Sequence, residues 1–256
     1  MATPSELITA LRNLKNDQDT GPNPYPYKSA ADLIVSCGAV ARDIFLKSSV
    51  DNAAAKGISI EFGGYSKDKN GAFEYYAHTI NNTIFMPHPS VRTLAIEDAM
   101  TWFLFETRNA MRAQQYCQLY RDAAKGVKLL DSFVYFAAEY ETRGGLEVGE
   151  MWQKIISTYK KSPTSSLSTY YYNLYKKAPN WINDSKQLGT LMDDVLRSQY
   201  TAGKDKGKSR RQKYGELFTL YTTGAGKAYY SHPSVTCTGN NLKLISTTEI
   251  SPIGLV

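Results

Sequence analysis

Glu106 sits in the stretch TWFLFETRNAMRAQQY, directly after Trp102, Phe103, Leu104 and Phe105, with Asn109 one helical turn further on. A second set of carboxylates, Glu139, Glu141, Glu147 and Glu150, lies in EYETRGGLEVGE. Carboxyl groups do general acid–base chemistry when burial or a neighbouring charge holds one of them protonated near neutral pH. The pairing this sequence offers is Glu106 with Glu139 or Glu141 across two helices, which would make a glutamate-dependent hydrolase. Glu139 and Glu141 stand two apart, so on a helix they do not share a face.

Which way Glu106 points follows from helix geometry. At about 100° per residue, Glu97, Thr101, Arg108 and Arg112 fall together as a water face. Ala95, Ala99, Trp102, Phe103 and Ala110 fall opposite, with Glu106 near the middle of that apolar side and Asn109 on its flank. A lone buried carboxylate is costly and has to be paired, hydrogen-bonded or protonated. Its candidate partners are Asn109, Arg143 and the tyrosine hydroxyls of FVYFAAEYE. Two readings follow: a buried anchor locking two helices together, or an acid–base group in a cleft.

A different chemistry is offered by GKDKGKSRRQKYGE. Here Lys204, Lys206, Lys208, Arg210, Arg211 and Lys213 face only Asp205 and Glu216. A cationic run beside tyrosine can grip phosphates, which would suit a nucleic-acid-binding or nuclease module. The plain alternative is a solvated loop. TTGAGKAYY lacks the leading glycine spacing and the Ser/Thr of a phosphate-binding loop, and reads as a turn. The histidines are His78, His88 and His232; Cys37 lies in an apolar helical stripe, where a thiol packs. No metal ligand set and no cofactor motif is expected.

These residues need elements to hold them. Helices are expected over 4–15 and 29–47, separated by the proline-rich DQDTGPNPYPYKS. GISIEFGG, GAFEYYAHTI and NTIFMP alternate as strands, so residues 57–87 read as a small antiparallel sheet. A long buried helix follows over about 90–114, continuing or bending through YCQLYRDAAKG. Further helices are expected from Lys128 to STYKK, interrupted at Gly144–Gly145, then over 165–177 and 186–201. ELFTLYTT is ambiguous, and the tail beyond Gly224 holds one strand-like piece, NLKLIST. The expected fold is therefore α+β, mostly helical, with the sheet packed near the long helix. Residues 1–160 form its first part, and 161–256 a helical, basic extension packed on it as one unit.

A strand pair followed by a helix with FETRN resembles the zincin metallopeptidases, whose helix carries His-Glu-x-x-His. Phe105 stands at the first ligand position, Glu106 at the glutamate and Asn109 at the second ligand. Phe cannot ligate a metal and Asn is a poor zinc ligand, so the resemblance implies a pseudo-metallopeptidase core without peptidase activity. FETRNA with a downstream AAEYET is also similar to a motif of bacterial polymorphic-toxin and secreted-effector proteins. That resemblance implies action through a cleft near Glu106, or contact with a protein partner such as an immunity protein, a chaperone or a host target.

Composition sets the outer limits. Of 256 residues, 42% are hydrophobic and 21% charged, an ordinary globular balance. The net charge of +6 permits an acidic partner without requiring one. Nineteen tyrosines suit a core rim or a contact surface equally. Cys37, Cys117 and Cys237 are too far apart to read as a disulfide framework and are expected to be reduced. The start shows no signal-peptide pattern and no stretch reaches the length of a membrane span. The expected setting is the cytoplasm at synthesis, with export by a leaderless route leaving no mark in the sequence.

Overall fold

The computed structural model describes residues 96–159, 162–201 and 205–237, together with four three-residue strand fragments at 15–17, 59–61, 78–80 and 83–85. The expected helices at 4–15 and 29–47, His88, Cys37, Lys204 and the NLKLIST piece lie outside the described residues.

The α+β expectation is overturned: the described part is all-α. Seven helices occur among the described residues: α1 (Ile96–Met111), α2 (Ala113–Ala124), α3 (Leu130–Tyr159), α4 (Ser166–Lys177), α5 (Ser185–Arg197), α6 (Arg210–Thr222) and α7 (Gly224–Ser231). Between 96 and 237 the described residues hold no strand. The fragments β1 (Lys15–Asp17), β2 (Ser59–Glu61), β3 (His78–Ile80) and β4 (Thr83–Phe85) run in the order β1-β2-β4-β3. Only β3–β4 is antiparallel, with Thr79 opposite Ile84; β1–β2 and β2–β4 are parallel. Twelve residues so paired are not the antiparallel sheet expected over 57–87. Short apolar alternations are weak strand signals, whereas the 3.6-residue periodicity from 96 onward persists through successive helices and sets the fold.

The helix ends are specified locally. Ser165 accepts from Ser168 N and caps α4; Asp184 accepts from Lys186 N and Gln187 N, both at 3.0 Å, and caps α5. Ser209 and Gln212 form a capping box at α6. At the end of α2, Gly126 takes φ +73°, its N–H bonding Ala123 O while Val127 N bonds Asp122 O. That left-handed C-terminal turn is the Schellman motif, and it favours glycine there.

α3 is the axis, packing against α1, α2, α4, α5 and α6. The expected interruption at Gly144–Gly145 is absent, because these glycines serve helix contact instead. A Cβ on Gly149 would stand 2.3 Å from the Tyr171 carbonyl oxygen, and one on Gly145 3.1 Å from the Tyr171 ring. The lack of side chains lets α4 lie close on α3. Helices on both sides of residue 160 share one hydrophobic core, including Trp102, Phe105, Phe133, Trp152, Trp181 and Tyr214.

Two further expectations are corrected. TTGAGKAYY is not a turn: Gly224–Ser231 is helical and packs on α2 and α6. Cys117 and Cys237 are not reduced: they are bonded, with Cα atoms 5.6 Å apart across a separation of 120 residues. The packing of α7 on α2 brings the chain after α7 alongside α2, and spacing alone carries no sign of that.

Candidate acid–base site between α3 and α6

Glu106 is fully buried, as helix geometry requires, and Asn109 Nδ2 lies 3.4 Å from its Oε2. The rest of the α1 expectation needs correction. Thr101 is fully buried and Arg108 nearly so. α1 is enclosed by α3, α4 and the β3–β4 fragments, so no water face exists at these positions. Arg108 Nε reaches Glu147 of α3 at 3.2 Å, and Arg112 Nη2 pairs with the same carboxylate.

α3 separates the two candidate partners of Glu106. Glu139 is half-buried and paired with Arg143, Nη2 to Oε1 at 2.8 Å, an i,i+4 bond along the helix. Arg143 is thus engaged by Glu139. Glu141, two residues on, is 5% exposed and points into the bundle. Both Glu106 and Glu141 act electrostatically on the Tyr116 and Tyr171 hydroxyls.

Glu141 faces Arg210, the first residue of α6, with Oε1 and Nη1 4.0 Å apart. That is an ion pair without hydrogen-bond contact, and neither carboxylate oxygen of Glu141 has a hydrogen-bond partner among the described residues. Arg210 is positioned from three sides. The Ser209 cap fixes its place in the helix, its Nε donates to Ser198 Oγ at 3.1 Å, and its guanidinium lies 5.0 Å from the Tyr200 ring centroid. Between α3, α4 and α6 lies a recess of about 20 Å³ whose lining includes Glu141, Thr142, Tyr170, Tyr171 and Arg210. That is room for one water. Glu106 does not line it; Phe105, stacked on Tyr171 at 5.1 Å, does.

Burial pushes the Glu141 carboxyl above the ordinary glutamate range, with the Arg210 charge pulling it back only in part. Burial is the largest single influence on Arg210 and works against its charge, but Glu141 together with Tyr170, Tyr200 and Tyr171 holds the guanidinium above its ordinary value. Burial raises the Tyr171 and Tyr200 phenols, so both stay neutral donors at physiological pH.

The cationic run does not present one exposed face among its described members. Lys213 is buried, its Nζ 2.6 Å from Asp205 Oδ2. Lys208 bridges Asp205 and Glu216, and Arg211 reaches Asp131 of α3 at 2.6 Å. Arg210 is turned to Glu141, and Lys206 is exposed. The bridge between Gln199 and Ser209, with Gly207 N bonded to Tyr200 O, folds this segment back on itself.

Of the residues the sequence singles out, Glu141 and Arg210 line the recess and Glu106 and Asn109 do not; Thr142, Tyr170 and Tyr171 line it without a sequence signal for that role. Ser209-x-x-Gln212 was the available signal that Arg210 starts a helix. Nothing in the spacing joins residue 141 to residue 210. Among the described residues no three of His, Cys, Asp and Glu converge as a metal site, and no helix is long and apolar enough to cross a membrane. His232 is exposed, its Nδ1 2.6 Å from Ser234 Oγ. No family model, curated protein or solved structure matches this chain.

Proposed function

We propose that the chain is a glutamate-dependent hydrolase in which Glu141 is the acid–base group and Glu106 a buried anchor. The observation that carries this is the Glu141 carboxyl: buried, without hydrogen bonds among the described residues, facing Arg210 and a water-sized recess. Burial favours the protonated form of this carboxyl, and a protonated carboxylic acid beside a recess is placed to donate. In the proposed step the recess water attacks the scissile centre. Glu141 gives its proton to the leaving group as the bond breaks, and takes one back from the attacking water. One water is added across the bond and Glu141 is regenerated. Arg210 would hold the negative charge that develops beside it. Tyr171, whose phenol burial keeps neutral, lines the same recess.

The test compares wild type, Glu141→Gln and Glu106→Gln on a panel of chromogenic glycosides, esters and peptides. Turnover that falls at least about 100-fold in a Glu141→Gln variant that keeps its helical circular dichroism supports the assignment. Glu106→Gln is expected to act on stability instead. Full activity in Glu141→Gln, or no turnover of any substrate by the wild type, sinks it.

A second reading concerns setting, and the Cys117–Cys237 bond favours it. Disulfides persist in oxidising surroundings and are rare in the cytosol, which supports export from the cytosol, the setting an effector or toxin would need. Trapping thiols in intact cells and in the medium tests this. Oxidised protein outside and reduced protein inside is expected; exclusively reduced, cell-retained protein contradicts it.

A further inference from the structure

The corner between α2 and α3 carries an apolar run that the core does not use. Val127 is 69% exposed, Leu129 72% and Leu130 46%, and Tyr135 one turn further along α3 is exposed as well. Large apolar side chains exposed singly are ordinary, but a contiguous group on one corner marks a contact site. The corner is held out by its backbone. Gly126 takes the left-handed turn, and Val127 N and Lys128 N both bond Asp122 O, at 2.8 and 3.1 Å. These hydrogen bonds fix the backbone of the turn on which the exposed side chains stand.

Charge indicates what the corner meets. Lys125 and Lys128 alternate with the apolar residues, and Lys128 Nζ is steadied 3.9 Å over the Phe136 ring. Arg121 ends α2, and Arg211 is brought to the corner by its pair with Asp131. Four cations thus stand against Asp122 and Asp131. Leucine and valine interleaved with lysine, with a tyrosine at the margin, is the pattern of segments that lie in the interface of an anionic bilayer.

We propose that the α2–α3 corner, Lys125–Leu130 with Tyr135, docks the protein on anionic lipid surfaces. Val127, Leu129 and Leu130 enter the headgroup boundary, while Lys125 and Lys128 stay at the phosphates. This surface is separate from the Glu141 recess and does not depend on the hydrolase assignment.

Flotation of the full chain with vesicles of phosphatidylcholine, and of phosphatidylcholine with phosphatidylserine, tests it directly. Binding to the phosphatidylserine vesicles alone, weakened by salt, is expected. Val127→Asp with Leu129→Asp should lower that binding at least about tenfold. Both positions are solvent-exposed, so the variant should keep the wild-type circular dichroism and melting point. Lys125→Glu with Lys128→Glu should weaken binding while leaving the apolar residues intact. Absence of flotation with either vesicle overturns the proposal, as does equal binding by the aspartate variant. Light scattering decides the remaining occupant. A dimer that the aspartate variant dissolves, without vesicle binding, would assign the corner to a second copy of the chain and also overturn the proposal.

Discussion

Breaking the Cys117–Cys237 bond should loosen the bundle by an amount the loop length sets. The bond closes a loop with a separation of 120 residues. In the chain-entropy account, releasing a loop of that size returns about 5 kcal/mol of entropy to the unfolded chain at 25 °C. For a cooperative unit the size of residues 96–237, this lowers the melting temperature by roughly 10–20 °C. The assay is thermal unfolding of air-oxidised protein with and without reductant. Cys117→Ala with Cys237→Ala serves as a control that should melt low and ignore reductant. Thiol titration of the denatured, unreduced protein runs beside it. With two of the three cysteines bonded, one free thiol is expected, that of Cys37. Three titrating thiols, or a melting point unmoved by reductant, would refute the reasoning.

Other variants probe packing and charge. Gly149→Ala should cost about 1–3 kcal/mol, since its Cβ would press on the Tyr171 carbonyl of α4. Gly189→Ala, inside α5 with nothing within 4 Å, should instead stabilise by about 0.5–1 kcal/mol; chemical denaturation distinguishes the two signs. Asp205→Asn leaves the buried Lys213 ammonium without its carboxylate and should cost about 3 kcal/mol. Burial alone would raise the Asp205 carboxyl, but the hydrogen bonds and charges of Lys213 and Lys208 hold it below the ordinary range. Its stabilising contribution is therefore complete above the unfolded value. It is lost as pH falls through the lower folded one, and denaturation at a series of acidic pH values should show the loss vanish in Asp205→Asn.

How much of this was legible from residues alone depends on how local the cause is. The inward face of Glu106 follows from helical phase, because Trp102 and Ala110, one turn before and after it, stand on the same apolar side of α1. The same reasoning sent Thr101 and Arg108 to solvent, and failed because α1 is enclosed on more than one side. Gly144–Gly145 read as a break because glycine weakens helices. Its other use, letting a second helix lie close, depends on α4 some 25 residues later. α6 was ambiguous because its inward residues include Lys213 as well as Tyr214 and Leu217, so the apolar stripe is interrupted by a buried cation. The tyrosines were undecided between core and surface. Packing resolves them inward where Tyr120 stacks on Tyr221 at 4.1 Å with Tyr230 at its edge. The Glu141–Arg210 pair and the Cys117–Cys237 bond join segments 69 and 120 residues apart. No periodicity, cap or motif within either segment encodes its partner.

The central claim is that burial beside the recess makes Glu141 hold its proton more tightly than an exposed glutamate, and its own ionisation tests that most directly. Side-chain carboxyl NMR titration, with the Glu141 signal assigned by its loss in Glu141→Gln, follows this group alone. The account predicts that Glu141 keeps its proton after the exposed glutamates have ionised. Because the raised value means the folded state binds the proton more tightly, stability should fall as pH rises from the unfolded value toward the folded one, and Glu141→Gln should remove that slope. A Glu141 signal that titrates together with the surface glutamates, near about 4.3, would contradict it.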